Sequence, residues 1–297
     1  MKIVVTGSSG QLGSYLLEHF AKNSEVIGID NRESPFVEFS RFTTKKDVRD
    51  RDIGKIIENA DWVIHCAAQV SVEKSTKDPL FDAENNILGT VNLLWNSFLH
   101  EVHNFLYISS AAVYGNPVRV PLDEEHPTNP LSPYGVSKLA GEKYTIAFAE
   151  TYGLSSCVIR PFNFYSSRSD PKSPYSGVVT KFIAKASQGA PLVIEGDGSH
   201  TRDFLHINDV VDMIALIVKK PQASKGRTFN CGTGQHSSIL ELAQLVQSLS
   251  KKRIEITHTV PRQGDIKDSY ADISAAKDLL GFEPKVKLSD GIARLMA

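Results

Sequence analysis

"KIVVTGSSGQLGSYLLEHF", residues 2–20, passes from a β-branched run through three glycines into an amphipathic pattern. Ile3, Val4 and Val5 are consecutive rather than alternating with polar residues. That predicts a strand buried on both faces, as in a parallel sheet covered by helices. Leu12, Leu16, Leu17 and Phe20 fall on one helical stripe. Between strand and helix lie Gly7, Gly10 and Gly13. Small residues there let the backbone turn tightly, and the free N–H groups of a helix N-terminus suit a pyrophosphate. Taken alone, the loop suits an ordinary helix-capping turn as well.

The next strand, "EVIGID" (25–30), ends on Asp30, 23 residues after Gly7. A carboxylate there can accept hydrogen bonds from both ribose hydroxyls and repels a 2′-phosphate, which favours NAD over NADP. Arg32 is the neighbouring group that could receive such a phosphate.

Further β-rich runs follow at 62–68 ("WVIHCAA"), 105–115 ("FLYISSAAVYG"), 155–163 ("SSCVIRPFN") and 227–232 ("RTFNCG"). Helical patterns separate them. One places Ile87, Val91, Leu94, Trp95 and Phe98 on a stripe, and another runs from "SKLAGEKY" to a stop near Gly153. The alternation predicts an α/β fold with a doubly wound, parallel Rossmann-type sheet. After residue 165 the texture changes to a Ser, Pro and Gly-rich loop. A helix (178–188), a short strand "LVIEG", a loop and helices near 208–219 and 238–250 come next. The expected division is an NAD-binding domain of residues 1–165, with returning segments near 204–235. A smaller C-terminal α/β substrate lobe takes 166–203 and 236–297.

The bulk properties narrow the function. The 297 residues are 41% hydrophobic and 23% charged, with a net charge of -1, as in a globular protein with an ample core. A balanced surface gives no support for nucleic acid or an anionic membrane as partner. Three scattered cysteines without a C-x-x-C suit a reducing cytoplasm. The nine histidines show no metal-ligand spacing, so no metal is expected. The opening apolar run is too short for a signal peptide or a membrane span.

"SPYGVSKLAGEKY" (132–144) carries Tyr134 and Lys138, four apart and on one face of any helix that contains both. A tyrosine of pKa ~10 is a poor base at neutral pH. A neighbouring ammonium stabilises its phenolate, which can then take a proton from a hydroxyl. A tyrosine packed on a lysine stem fits the spacing equally. Ser109 and Ser110, where a strand ends, could add a hydroxyl to such a site.

Taken in order, these residues resemble the extended short-chain dehydrogenase/reductases, specifically the NAD-dependent epimerase/dehydratase family and its UDP-glucose and UDP-N-acetylglucosamine 4-epimerases. The likeness spans essentially the whole chain: "TGSSGQLG", Asp30, "DVRD", "HCAAQVSVEKS", "NILGTVNLL", "SSAAVYG", "YGVSK", "RPFN", "GDGSHTRDFLHINDV", "FNCGTG" and "RQGD". The resemblance implies that Gly7, Gly10, Gln11 and Leu12 line the pyrophosphate. It places Asp30 and Asn31 at the adenosine ribose and Asp47 and Val48 at adenine. Ala67, Ala68, Gln69, Asn86 and Ser109 would flank the rest of NAD. Ser110, Tyr134 and Lys138 match the catalytic serine, tyrosine and lysine. Asn163, Arg202, Arg262 and Asp265 match residues that hold the nucleotide diphosphate.

The implied reaction is transient oxidation of a nucleotide sugar at C4 through tightly bound NAD, with a UDP-sugar as substrate and a homodimer as assembly. Sister dehydratases resemble this chain but carry a carboxylate after the catalytic hydroxyl. Here Ala111 and Ala112 stand at those positions, which disfavours elimination. Ser269 matches a gate position where a bulky tyrosine excludes N-acetyl groups, so UDP-N-acetyl sugars are expected to fit. The chain also departs from the family: after "RPFNFY" it has Ser166-Ser167-Arg168 where Gly-Pro-Arg is usual. A nucleotide-sugar reductase and a non-catalytic NAD-binding protein are the competing readings.

Overall fold

The computed structural model describes residues 1–171, 176–261, 264 and 266–297. Its centre is a seven-stranded, all-parallel sheet. The first six strands in chain order are β1 (Lys2–Thr6), β2 (Glu25–Asp30), β3 (Thr43–Lys45), β4 (Trp62–His65), β5 (Asn104–Ile108) and β6 (Ser155–Pro161). Smaller strands follow: β7 (Asn163–Tyr165), β8 (Leu192–Glu195), β9 (Thr201–Arg202) and β10 (Phe204–His206). Last come β11 (Thr228–Cys231), β12 (Ser237–Ser238), β13 (Ile256–Thr259) and β14 (Asp268–Ser269). The spatial order of the large sheet is β11-β6-β5-β4-β1-β2-β3, so the chain reverses direction across the sheet between β1 and β4. That crevice is where doubly wound sheets bind ligands.

Strand periodicity explains the two cores. Ile3 and Val5 of β1 join Leu12, Leu16 and Leu17 on one face, while Val4 between them joins Leu93, Leu94 and Phe148 on the other. Ile64 and Val63, Leu106 and Phe105, and Ile159 and Val158 divide in the same way. This two-sided burial is what the unbroken apolar runs predict.

The remaining strands form small pieces: β7 with β10, β8 with β13, and β12-β9-β14. A third cluster, including Phe182, Ile194, Leu242, Val246 and Ile292, packs beneath them. Ala276, Leu280 and Phe282, near the C-terminal end, belong instead to the first core.

The structure corrects two expectations and adds one strand. The run expected as a strand over 105–115 stops at Ile108, and a tight turn, Ala111–Val113, follows. The cause is local: the Ser110 hydroxyl accepts the Ala112 N–H at 3.1 Å and caps the turn. The strand Thr43–Lys45 was not legible, being three residues of modest β-propensity at the sheet edge. Of the expected stripe, Leu94 reaches the core, but Trp95 and Phe98 turn outward, at 42% and 40% exposed. Polar Asn86, Thr90, Asn96 and Ser97 are buried instead.

Candidate active site

Gly7 ends β1 with φ of +69°, a region that favours glycine. A Cβ there would stand 2.7 Å from the Ala67 nitrogen, so the loop touches the backbone after β4. The helix Gln11–Phe20 then begins at Gly10, which offers no side chain to cap it. Its first N–H groups are left for an outside acceptor. Asp30, at the end of β2 and buried, accepts the Ser9 N–H at 2.9 Å and the Arg32 N–H at 3.1 Å. Carboxylate lone pairs remain for further donors. The Arg32 guanidinium lies 3.8 Å from the same carboxylate and is otherwise largely exposed. Asp47 accepts a two-pronged bond from Arg49, at 2.9 and 2.8 Å, which holds its carboxyl below the usual range. The Val48 carbonyl accepts from Asn92 at 2.7 Å. A glycine cradle that a Cβ would fill, an uncapped helix start and an acid at the end of β2 together fit a dinucleotide.

The loop after β4 is held by a buried polar lattice. The Asn86 side chain accepts the Gln69 N–H at 2.7 Å and donates to the Gln69 carbonyl at 2.9 Å. It also donates to Ser137, next to Lys138, at 3.0 Å. Asp82 accepts from Gln69 at 2.8 Å and Asn86 at 3.1 Å. The Ala67 N–H donates to Thr6 at 3.2 Å, and Ala68 follows in the same loop. Thr6 in turn bonds His65, which reaches Thr90 with its other ring nitrogen. Burial drives the His65 pKa down to about 3, so this imidazole is a neutral connector.

Pro133 opens the helix Pro133–Tyr152, with Ser132 as cap accepting the Gly135 N–H at 3.2 Å. Tyr134 and Lys138 therefore share one helix and one face. A Cβ on Gly135 would lie 2.8 Å from the Ala112 carbonyl, so glycine lets the first turn of this helix rest on the turn after Ser110. That approach brings Tyr134 within electrostatic reach of the Ser110 hydroxyl. Burial raises the Tyr134 pKa, and the Ser110 hydroxyl works against the rise. The Lys138 ammonium is buried over the Tyr107 ring, 4.4 Å from its centroid. Burial lowers its pKa to about 8, while Cys66, Glu142 and Asp82 act to raise it.

Ser109 turns away from this group. Its hydroxyl donates to Glu142 at 2.5 Å, and Arg160 clasps the same carboxylate at 2.9 and 2.8 Å. Asp82, Glu142 and Arg160 are buried polar groups that the sequence reading passed over. For Glu142 the signal was its place four residues beyond Lys138; a distant Arg160 partner leaves no local pattern.

In the C-terminal part of the chain, Arg202 and Ser269 are register partners across β9 and β14. Ser269 is nearly buried at 9% exposure. Asn163 begins β7 with an exposed side chain, and its N–H donates to the Asp203 carbonyl at 3.1 Å. Asp203 immediately follows Arg202. Arg262 and Asp265 lie outside the described residues.

Residues 3–232 match the model of the NAD dependent epimerase/dehydratase family. The UDP-glucose 4-epimerase of Mycolicibacterium smegmatis is 36% identical, over 99% of this chain and 97% of its own length. The UDP-glucose 4-epimerase of Thermotoga maritima, solved with UDP-glucose, superposes with a TM-score of 0.94 at 34% identity, covering 100% of this chain and 97% of that one. The UDP-N-acetylglucosamine 4-epimerase of Methanobrevibacter ruminantium, in complex with UDP-N-acetylmuramic acid, gives 0.93 at 32%, over 99% and 96%. The Thermus thermophilus UDP-glucose 4-epimerase, solved with NAD, gives 0.90 at 31%, over 100% and 98%. With likeness along the full chain and a dinucleotide cradle at the sheet's reversal point, the protein belongs to the NAD-dependent epimerase/dehydratase family.

Proposed function

We propose that the chain is a nucleotide-sugar 4-epimerase acting on UDP-hexoses, both UDP-glucose/UDP-galactose and UDP-GlcNAc/UDP-GalNAc. The observation that carries this reading is the packing of the helix start at Gly135 on the turn capped by Ser110, with buried Lys138 one turn beyond Tyr134 on that helix. Ser110 and Tyr134 receive the sugar 4-hydroxyl, and Tyr134 holds and returns its proton. Lys138 keeps positive charge beside the phenol and the cofactor ribose. NAD, when bound, supplies the acceptor and donor of the C4 hydride and a positive ring that favours the phenolate. Gly7, Gly10, Gln11 and Leu12 hold its pyrophosphate, Asp30 and Asn31 its ribose, and Asp47 and Val48 its adenine. Ala67, Ala68, Gln69, Asn86 and the backbone at Ser109 line its remaining length. Ala111 and Ala112 offer no carboxylate for a second proton transfer, which argues against dehydration.

Asn163, Arg202, Arg262 and Asp265 hold the UDP diphosphate, for which guanidinium forks are suited. Ser269 beside Arg202 leaves room for an N-acetyl group. The third apolar cluster supports a substrate lobe of 166–203 and 236–297, with the stretch at 276–282 fastened to the NAD-binding domain. Among the described residues no helix is long and apolar enough to cross a membrane. The free cysteines suit a cytoplasmic home.

The test is turnover of UDP-glucose and UDP-GlcNAc by the purified protein and by Tyr134→Phe. The wild type should epimerise both sugars. The variant should lose about 10²–10⁴-fold in rate yet still bind NAD. Unchanged activity in the variant refutes the assignment.

A further inference from the structure

Ser166-Ser167-Arg168 follows β7 directly and lies against the helix that starts at the glycine loop. Gln11, Ser14, Tyr15 and Glu18 make one face of that helix, spaced three and four apart. Each meets the strap. The Gln11 side-chain amide donates to the Ser166 hydroxyl at 2.9 Å, and the Tyr15 and Ser167 hydroxyls lie 2.9 Å apart. Arg168 donates to Ser14 at 3.4 Å and pairs with Glu18. Its guanidinium stacks over Tyr15 at 4.0 Å and Phe39 at 4.6 Å. Ser166 is buried, and the Arg168 side chain is only 16% exposed.

A glycine and a proline at 166 and 167 would keep the arginine clasp but supply neither hydroxyl. Gln11 is the first residue of the helix whose free N–H groups form the pyrophosphate cradle, and the hydroxyls tie that first turn to the strand carrying Asn163. We infer that Ser166, Ser167 and Arg168 are positioning residues for the cofactor: they hold the first turn of this helix in place and so slow the release of NAD. The inference rests on the proposed NAD-dependent reading. In such a reaction the cofactor is restored within each cycle, so retention serves turnover.

The test compares NAD release from the wild type, the double variant Ser166→Gly/Ser167→Pro, Ser166→Thr and Arg168→Ala. Release is followed by the NAD remaining on the protein after timed desalting, alongside the thermal midpoint of each NAD-free form. The double variant should release NAD roughly tenfold faster, as expected for the loss of two neutral hydrogen bonds. Its NAD-free midpoint should fall by only a few degrees. Ser166→Thr, which keeps the hydroxyl, should release slowly, and Arg168→Ala fastest. Wild-type release rates in the double variant and in Arg168→Ala overturn the inference, as does a fall in midpoint with release unchanged. Failure to epimerise any sugar, with release still responding as stated, counts against the epimerase reading alone. A wild type that binds no NAD overturns both.

Discussion

Ser109 and Ser110 are consecutive, yet their hydroxyls serve opposite sides of β5's end. Ser109 donates inward to the buried Glu142–Arg160 pair, while Ser110 caps the following turn on the Tyr134 side. Ser109→Ala should lower stability by about 1.5–3 kcal/mol, the range for a hydrogen bond to a charged group. Ser110→Ala should cost about 0.5–1 kcal/mol through the lost turn cap and reduce kcat by about 10²-fold or more. Urea unfolding and steady-state rates on both variants decide this; equal stability losses would remove the division of labour.

Lys138 is held in place against its own solvation. Its pKa falls from an ordinary 10.5 to about 8. Between those values the unfolded chain binds the proton that the folded chain has released, so this group's contribution to stability rises with pH across the window. Below pH 8 the buried charge costs on the order of 3 kcal/mol, at about 1.36 kcal/mol per pKa unit. Lys138→Met should therefore be inactive but more stable than the wild type at neutral pH, with the gap closing toward pH 10. A less stable variant at pH 7 would show that the contacts of the ammonium outweigh its desolvation.

Rate should also respond to this titration. If the Lys138 cation supports the Tyr134 phenolate, kcat falls as pH rises through about 8. Buffers from pH 7 to 10 with the substrate saturating would reveal the limb, and a flat profile to pH 10 would separate Lys138 from proton transfer.

Ser269 stands opposite Arg202 in the β9–β14 register. Ser269→Tyr should reduce turnover of UDP-GlcNAc by at least about tenfold relative to UDP-glucose, since pocket volume is a modest discriminator. Equal losses on both substrates would place the gate elsewhere.

Trp95, Phe98 and Tyr152 form an exposed aromatic group, with ring centroids 5.1 to 5.8 Å apart. We propose this exposed aromatic group as the contact of the expected homodimer. Phe98→Glu should convert a homodimer to monomer in sedimentation velocity. A wild type that is already monomeric at micromolar concentration would exclude this face as the dimer contact.

Much of the architecture is written in local pattern. Unbroken runs such as Ile3-Val4-Val5 required burial on two faces, and the glycines between strand and helix located the cradle. Asp30 and the Tyr134–Lys138 spacing were legible because each depends on position along a single element. Other features needed the folded chain. Trp95 and Phe98 have a core-like period, but Asn86 and Thr90 take the inner face because they find buried partners there. The extended run past Ile108 breaks because a single serine hydroxyl captures a backbone N–H.

The sequence by itself determined the sheet, the glycine loop between strand and helix, and the shared helix face of Tyr134 and Lys138, since these follow from periodicity and spacing within one segment. Only the tertiary structure decided that Ser109 turns to Glu142, that Glu142 belongs to Arg160, and that Ser166 reaches Gln11 across 155 residues. Such pairings join side chains from distant segments, and their geometry exists only once the sheet has brought those segments together.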